Sequence, residues 1–364
     1  MTASAVLTGC IAESNPAGPV VPTPSSPPVD PPEVAGLPGR YAGRTFRVAG
    51  AGDDARDAVM RVLWQPFATE TGCGLDAGIT DYGVLAADGA GEQVDLALVS
   101  DEWALRLGNA DALAPLDAVG SDGTVPDLIA PSATAVPAFA DALVNASRVD
   151  AAAPGSYPVN WPEWWAFRER PGGRAMMKGP VGTFEFALLA DGVPPTELYP
   201  LDIERAITSL RRVSGSILDR WWDTGPQAVD WLSSGRALFA MAYNRQVMAA
   251  SRAGRSVRKE LNQGALFAEH WVVPSAAANA DIARDFISWA LSVPAQAALA
   301  AVANLSPVSS MVFPAIDPFL ARQLPTSPAN MPSMIRLDPA WWEANRTLAT
   351  EAFNGWLLGN PRGF

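Results

Sequence analysis

Apolar residues in the first third of the chain follow the spacing of strands and helices in turn. The run 45–48 predicts a strand, and apolar side chains within 59–67 recur at i, i+3, i+4, i+7 and i+8, as on one face of a helix. Gly72 is placed to end that helix, and residues 75–79 alternate as a second strand. Residues 94–99 form a third, largely apolar strand. Apolar strands separated by a helix predict a parallel sheet that is covered on both faces.

The second half of the chain repeats this pattern. Asp338 and Pro339 place a capping side chain before a first-turn proline, which predicts a final helix that ends at Gly359. The other elements predicted in this half are helices over 203–210 and 283–291 and strands over 237–243 and 271–273.

Length and charge narrow the class of protein. The chain has 364 residues and a formal net charge of −12. Because single hydrophobic cores stop growing beyond about 250–300 residues, two lobes are expected. An acidic protein repels phosphate backbones and anionic lipid surfaces, so no nucleic-acid partner is expected. No apolar run approaches the roughly 18–20 residues that a membrane-spanning helix needs.

The inventory of metal-binding and catalytic residues is short. The chain has one histidine, His270, and two cysteines, Cys10 and Cys73. These numbers exclude zinc sites made of four cysteines, of two cysteines with two histidines, or of three histidines. Neither a metal nor a cofactor is expected.

No motif in the sequence supports an enzyme activity. The acidic pair Asp101-Glu102 has no nucleophile beside it, and a Gly-x-Ser-x-Gly elbow is missing from the sequence. Residues 50–55 match the dinucleotide fingerprint G-x-G-x-x-A between a strand and a helix. Asp53 and Asp54, however, would put two carboxylates where a pyrophosphate must lie, and we interpret them as helix-capping residues. The chain is therefore not expected to be an enzyme, and an NAD-dependent enzyme ranks third among the hypotheses.

The first 43 residues predict an anchor and a tether. Leu7-Thr8-Gly9-Cys10 resembles a bacterial lipobox, in which the cysteine is lipidated and becomes the new N-terminus. Residues 11–38 hold nine prolines among small residues, a composition that favours extended polyproline II over a packed core. We therefore expect lipidation at Cys10 and contact with a membrane only through that lipid.

Thirteen tryptophans are the unusual compositional feature. Most are expected to pack in the interior. A few aromatic rings that face a cleft between two lobes would give a ligand flat, rigid surfaces, including cation–π faces for an amine.

Several strings, taken in chain order, resemble the spermidine/putrescine branch of the extracellular solute-binding proteins of ABC importers. The family has F-x-x-E-T-G, L-x-P-L-D and w-x-I-P followed by a-N at the matching places. The strings that carry the resemblance are 67–72, 94–101, 113–117, 161–174, 201–210, 232–244, 271–287 and 295–296.

The resemblance implies an α/β fold of two lobes, the type II periplasmic-binding-protein fold. Each lobe would hold a mainly parallel sheet flanked by helices, and hinge strands would join the lobes. The division that follows places the lipobox and tether at 1–43, lobe 1 at 44–147 plus 271–308, and lobe 2 at 148–270 plus 309–364. A ligand would lie in the cleft, with the lobes closing on it.

The resemblance also implies a binding site. Glu269 stands where the family has an aspartate that holds a ligand amine, and Tyr243 stands where it has a cleft tryptophan. Two departures weaken the match to spermidine or putrescine, since Gly179 and Gly182 replace a pair of carboxylates. A further departure is Ala49-Gly50, in place of an aromatic residue and glycine. The expected ligand-binding residues are Ser100, Asp101, Glu102, Trp103, Tyr243, Asn244, Phe267, Glu269 and Trp271.

The function expected from these features is that of a lipid-anchored receptor. It would bind a small polar, amine-containing, polyamine-like solute and deliver that solute to ABC permease subunits. It would act as a monomer on the outer face of the cytoplasmic membrane or in the periplasm. The alternative is a surface lipoprotein of the same fold that does not transport and acts by contact with another protein.

Overall fold

The strands of the protein form one continuous sheet. The computed structural model describes residues 36–50, 54–79, 85, 94–150, 156–217 and 220–359. The strands in that part are β1 (Thr45–Gly50), β2 (Gly74–Ile79), β3 (Leu96–Ser100), β4 (Ala135–Arg148), β5 (Arg174–Met177), β6 (Trp221–Trp222), β7 (Phe239–Tyr243), β8 (Val257–Val272) and β9 (Ile335–Arg336).

Helices follow most of the strands. Short 3₁₀ segments occur at Pro195–Glu197, Ser310–Ala315 and Met331–Ser333. The α-helices of the described residues are α1 (Asp54–Val59), α2 (Gln65–Thr71), α3 (Asp101–Asn109), α4 (Trp161–Trp165), α5 (Thr183–Ala190), α6 (Ile203–Ile217), α7 (Gly225–Ser234), α8 (Asn244–Arg252), α9 (Ala280–Ala290), α10 (Val293–Ala303), α11 (Pro318–Ala321) and α12 (Pro339–Leu358).

The order of the strands divides the sheet into two halves. The order is β2-β1-β3-β8-β4-β7-β5-β6, and β9 pairs with β8. Strand β1 is parallel to β2 and β3, and β5 is parallel to β6 and β7. The long strands β4 and β8 lie between these halves and are antiparallel to each other. The parallel strands thus form the two lobes, and β4 and β8 are the hinge strands that join them, as the sequence predicted.

The sheet of lobe 1 is covered on both faces. Leu96 and Leu98 of β3 belong to one apolar cluster, together with Phe46, whereas Ala97 and Val99 belong to a different one. Successive side chains of a strand point to opposite faces, so both faces of β3 are buried. This explains why 94–99 is apolar at nearly every position.

The first predicted helix forms, but it is not continuous. A π-helical segment, Met60–Trp64, separates α1 from α2. Pro66, in the first turn of α2, has no N–H to donate to the preceding turn, and the hydrogen-bond ladder changes register just before it. Gly72 ends α2 in the left-handed conformation at φ 72°, as expected for a helix C-terminus.

Ordered contacts begin before residue 44. Tyr41 is buried and donates its hydroxyl to Asp285 Oδ2 at 2.5 Å, and the Gly39 N–H donates to the Glu70 carbonyl. Lobe 1 therefore uses residues that the sequence assigned to the tether. The lipobox cysteine, Cys10, and the prolines before residue 36 lie outside the described residues. The boundaries of the two lobes stay a prediction.

The segment 310–324 shows how the chain continues after lobe 1. Val312, Ile316 and Leu320 form an apolar cluster with Ala300 of α10 and Met248 of α8. This segment, predicted to belong to lobe 2, is thus shared between helices from both sides of the hinge.

Among the described residues, no single helix has the length and apolar composition to cross a membrane. One pair, Ala280–Ala290 with Val293–Ala303, has them only when taken together across a 73° bend.

Candidate functional site

A cavity of 230 Å³ lies between the lobes, against the hinge strands. Lobe 1 lines it with the end of β3 and the start of α3, and lobe 2 with the ends of β5 and β7. In an α/β protein, ligands bind at the carboxyl ends of parallel strands, so this is the expected place for a site. The lining residues are Ser100, Asp101, Glu102, Leu143, Met177, Val181, Tyr243, Phe267, Ala268, Glu269, Leu337, Pro339, Trp342 and Arg346.

The structure brings six of the nine predicted site residues to this cavity. The side chain of Asn244 is buried, and its amide donates to Met248 Sδ at 3.3 Å. Trp103 does not line the cavity, and the Arg106 guanidinium lies 4.8 Å from its ring centroid. The six that line the cavity are Ser100, Asp101, Glu102, Tyr243, Phe267 and Glu269.

The prediction for Trp271 needs correction. Its side chain is fully buried in the core of lobe 1, where its ring centroid lies 5.1 Å from that of Phe286 and 6.2 Å from that of Trp64. The indole is a packing residue at the end of β8. It lies two residues further along β8 than Glu269, opposite Leu98 of β3, and both Trp271 and Leu98 belong to the apolar core of lobe 1.

Two of the predicted acids already have partners. Asp101 Oδ2 accepts a hydrogen bond from the Ala268 N–H at 2.8 Å, and burial raises the pKa of this carboxyl. Glu102 is buried, and the single Nε–H of Arg346 is shared between its two carboxylate oxygens, each 2.6 Å from Nε. Since Arg346 belongs to α12 and Glu102 to α3, this ion pair links the lobes at one side of the cavity.

The single histidine, His270, lies next to Asp101. His270 Nδ1 lies 3.5 Å from Asp101 Oδ1, and burial lowers the pKa of the imidazole despite that carboxylate. A buried, neutral imidazole next to an occupied carboxylate fits a structural role.

Glu269 lines the cavity from the centre of the sheet. It lies on β8, opposite Ser100 of β3 and Phe139 of β4. Phe267, two residues earlier on the same strand, also lines the cavity, and its ring centroid is 5.9 Å from that of Tyr243 in an edge-to-face arrangement. The cavity therefore combines a carboxylate with aromatic faces, a combination suited to an ammonium group.

A cationic side chain that was not among the predicted site residues lies next to Tyr243. The Arg245 guanidinium, in the first turn of α8, is 4.5 Å from the ring centroid of Tyr243. It donates to Asp141 Oδ2 at 2.6 Å and to Asp54 Oδ1 at 2.8 Å. Burial alone would lower the pKa of Arg245, but the two carboxylates outweigh it and raise that pKa. The residue is therefore charged.

The sequence did contain a signal for Arg245. The family pattern that matches residues 242–244 continues with a glycine, and this chain has an arginine there. A long cationic side chain thus replaces glycine two positions after the aromatic residue Tyr243, although Arg245 itself does not line the cavity.

The indole of Trp342 forms another aromatic wall and is held from behind. Its N–H donates to Glu185 Oε1 at 2.8 Å, and the Tyr199 hydroxyl donates to the same oxygen at 2.6 Å. Glu185 is fully buried, and burial raises the pKa of its carboxyl. Sequence reasoning did not find this wall, because Glu185 and Trp342 are far apart in the chain.

The two glycines that replace family carboxylates differ in their surroundings. Gly182 has φ +72°, and a Cβ there would lie 2.7 Å from Leu143 Cδ1 and 2.9 Å from Met241 Cε. At Gly179 a Cβ would meet nothing within 4 Å. The backbone at 182 thus disfavours any side chain, whereas 179 has room for one.

The described residues hold no group of three or more His, Cys, Asp or Glu side chains able to bind a metal ion. Half of the dinucleotide fingerprint, residues 51–53, lies outside the described part. Asp54 accepts hydrogen bonds from Arg245 and Gln246, so its carboxylate is engaged at the start of α1.

A two-lobed α/β fold with a cavity at the hinge defines a class of binding proteins, and sequence comparison gives the family. The bacterial extracellular solute-binding protein family matches residues 78–323, and the chain belongs to this family. It is a family of binding proteins, which agrees with the expectation that the chain is not an enzyme. It also places the protein outside the cytoplasm.

Individual relatives are similar at moderate identity. The γ-aminobutyric acid-binding protein of Pseudomonas aeruginosa is 30% identical over 204 residues, which are 55% of this chain and 57% of that protein. The chain thus matches little more than half the length of this curated relative.

Solved structures match over more of the chain. A GABA receptor structure has a TM-score of 0.77 and 28% identity over 86% of this chain and 97% of that one. An ABC transporter substrate-binding protein from Bradyrhizobium japonicum has the same TM-score and 26% identity, over 86% of this chain and 99% of that one.

Proposed function

We propose that this protein is the receptor subunit of an ABC importer, anchored by a lipid at Cys10, that captures a small amine-bearing solute between its lobes. One observation carries the proposal. The inter-lobe cavity joins a carboxylate, Glu269, to the rings of Tyr243 and Phe267. The family of the chain supports the same conclusion.

The charges around the cavity favour a solute with both an amine and a carboxylate. Glu269 supplies the partner for the amine. Arg245 supplies a cation beside Tyr243, in the first turn of α8, where the N-terminus of the helix adds its own positive field. A solute carboxylate that reached Arg245 would replace the hydrogen bonds that Asp54 now accepts. We therefore favour a short amino acid with separated charges, such as γ-aminobutyric acid.

A polyamine-like solute is the second candidate, and it needs a second anionic partner. Asp101 and Glu102 are already bonded to Ala268 N–H and to Arg346. Gly182 leaves no space for a carboxylate. Since a hydrogen bond to a charged group contributes about 1.5–3 kcal/mol, one missing anchor weakens the binding of a dication roughly 10–150-fold.

Glu269→Gln tests the site directly. The substitution keeps the shape of the side chain and removes its charge, so affinity for γ-aminobutyric acid should fall roughly 10–150-fold by calorimetry. Glu351→Gln, an exposed position on α12, is the matched control and should bind as the parent protein does.

Two results would change this proposal. An unchanged dissociation constant in the Glu269→Gln variant would remove this residue as the amine partner. Binding of putrescine but not of γ-aminobutyric acid by the parent protein would replace the amino acid with the polyamine as the solute class.

The anchor has a test of its own. Produced behind a functional export signal, the protein should incorporate labelled palmitate and fractionate with membranes, and Cys10→Ala should abolish both. Cys73→Ala is the matched control, because Cys73 is buried in lobe 1, within 3.4 Å of Thr71 Oγ1. Membrane association that persists in the Cys10→Ala variant would contradict lipidation at this residue.

A further inference from the structure

A separate pocket, of 210 Å³, lies along α8 from Val247 to Arg252 and shares no residue with the inter-lobe cavity. We call it the basic pocket, because three of its lining side chains are cationic and none is acidic. Its lining residues are Val247, Met248, Ser251, Arg252, Val257, Arg258, Lys259, Phe319, Leu320 and Gln323.

Among the described residues, no carboxylate oxygen lies within 4 Å of Lys259 or Arg252, although Asp317 exerts a longer-range attraction on Arg252. Lys259 Nζ donates one hydrogen bond, to the Gln323 carbonyl at 2.6 Å, although an ammonium group has three donors. Arg252 Nη1 donates to the Ala301 carbonyl at 2.9 Å. The third cation, Arg258, lies 3.7 Å from Glu260 and stacks on the Tyr157 ring.

This arrangement is costly for the protein alone. Burial lowers the pKa of Lys259 to about 7, in spite of a raising effect from Asp141. Burial also lowers the pKa of Arg252, in spite of a raising effect from Asp317. Asp141 cannot neutralise Lys259 fully, because it is bonded to Arg245. Acidic side chains outnumber basic ones by 38 to 26 in this protein, yet none lines the pocket.

We propose that the basic pocket binds a small oxyanion. The Lys259 ammonium and the Arg252 guanidinium would donate charge-assisted hydrogen bonds to its oxygens, with Arg258 and the Ser251 hydroxyl at the rim. Val247, Met248 and Leu320 form an apolar side of the pocket, and the lower local dielectric beside them would strengthen these bonds. The proposal does not depend on the identity of the solute in the inter-lobe cavity.

Sulfate is the probe, because its charge stays constant from pH 6 to 9. Calorimetry and thermal unfolding with sulfate, at an ionic strength held constant with sodium chloride, should show saturable binding and a higher unfolding temperature in the parent protein. Lys259→Met should weaken sulfate binding roughly 10–150-fold. Arg255→Gln is the matched control, since Arg255 is exposed and pairs with Asp230 outside the pocket, and it should bind sulfate normally.

Two further measurements separate an anion site from a merely structural lysine. Without sulfate at pH 7, Lys259→Met should unfold at or above the temperature of the parent protein, because a buried cation has been removed. If Lys259 only holds Gln323 in place, the same variant unfolds earlier. Arg252→Gln serves as a second variant should Lys259→Met fail to fold.

Sulfate affinity should also fall as the pH rises from 6 to 9, as Lys259 loses its proton. The other charged groups near the lysine are Arg252 on α8, Arg258 on β8 and Asp141 on β4, and Asp141 is held by Arg245. The proposal is overturned if sulfate gives no saturable binding, or if Lys259→Met binds sulfate as well as the parent protein does.

Discussion

At the scale of single residues, the acids of the cavity show what sequence can and cannot specify. Asp101, Glu102 and Glu269 all line the inter-lobe cavity, and their role in binding stays a prediction. The hydrogen-bond partners of Asp101 and Glu102 could not be predicted from the sequence. The partners of Asp101 and Glu102 are the Ala268 N–H and Arg346, which lie more than 150 positions away in the chain.

The environments of Arg245 and Trp271 also depend on contacts between distant parts of the chain, which the sequence does not show. Arg245 binds Asp141 and Asp54, a pairing that exists only once the hinge strand β4 lies beside α8. Trp271 follows cavity residues in sequence, yet it packs on Phe286 of α9 in the core of lobe 1. The sequence therefore indicated correctly that Trp271 lies on a strand, but it did not indicate that the indole is buried in the core.

Gly182 gives a prediction at this scale. Gly182→Ala introduces a side chain at φ +72°, a conformation that L residues rarely adopt, against Leu143 and Met241. We expect it to lower the free energy of unfolding by about 1–3 kcal/mol, as for other residues held in sparsely populated backbone regions. Denaturant titration followed by tryptophan fluorescence measures this loss.

Gly179→Ala is the matched control for that substitution. The same methyl group enters open space there, so the change in stability should stay within about 0.5 kcal/mol. Equal losses at both positions would show that the geometry at 182 is not responsible, since the lower unfolded-state entropy of alanine favours folding at both.

At the scale of secondary-structure elements, a strong apolar periodicity was sufficient to predict a helix. The helices at 203–217 and 280–290 and the final helix from Pro339 formed where their apolar spacing and caps predicted them. Asp338 accepts hydrogen bonds from the N–H groups of Ala340 and Trp341, which is the capping role expected of it.

Strand β4 is the longest of the strands that the sequence did not indicate. It is rich in alanine, contains Pro137 and is buried at 13 of its 14 positions, so it lacks alternation. Its stability comes from pairing with β8 on one side and β7 on the other. The register shifts between Pro137 and Phe139, which is where a strand tolerates a residue without an N–H. Tertiary contacts therefore decide this strand, and local propensity does not.

At the scale of the whole molecule, two lobes that are joined by a pair of hinge strands can change their relative orientation. The solute should bind best when both walls of the cavity contact it, so ligand should shift the population toward the closed form. X-ray scattering of the parent protein with saturating γ-aminobutyric acid should show a smaller radius of gyration than without it.

The Glu269→Gln protein at the same ligand concentration is the control for that measurement, and it should remain at the ligand-free radius. Saturating binding without compaction would favour the alternative of a surface lipoprotein that does not transport. Genes for a permease and an ATPase beside the gene of this protein would favour the receptor.

The continuous sheet also has a consequence for how the protein is made. Ala97 of β3 pairs with Val272 of β8, so the first lobe cannot complete its sheet until most of the chain has been synthesised. Such distant pairings slow folding and expose unpaired strand edges to other chains. Neither lobe is a contiguous stretch that could fold early on its own. The nascent protein therefore depends on shielding of β3 from aggregation until β8 arrives, and its two lobes reach the native state together.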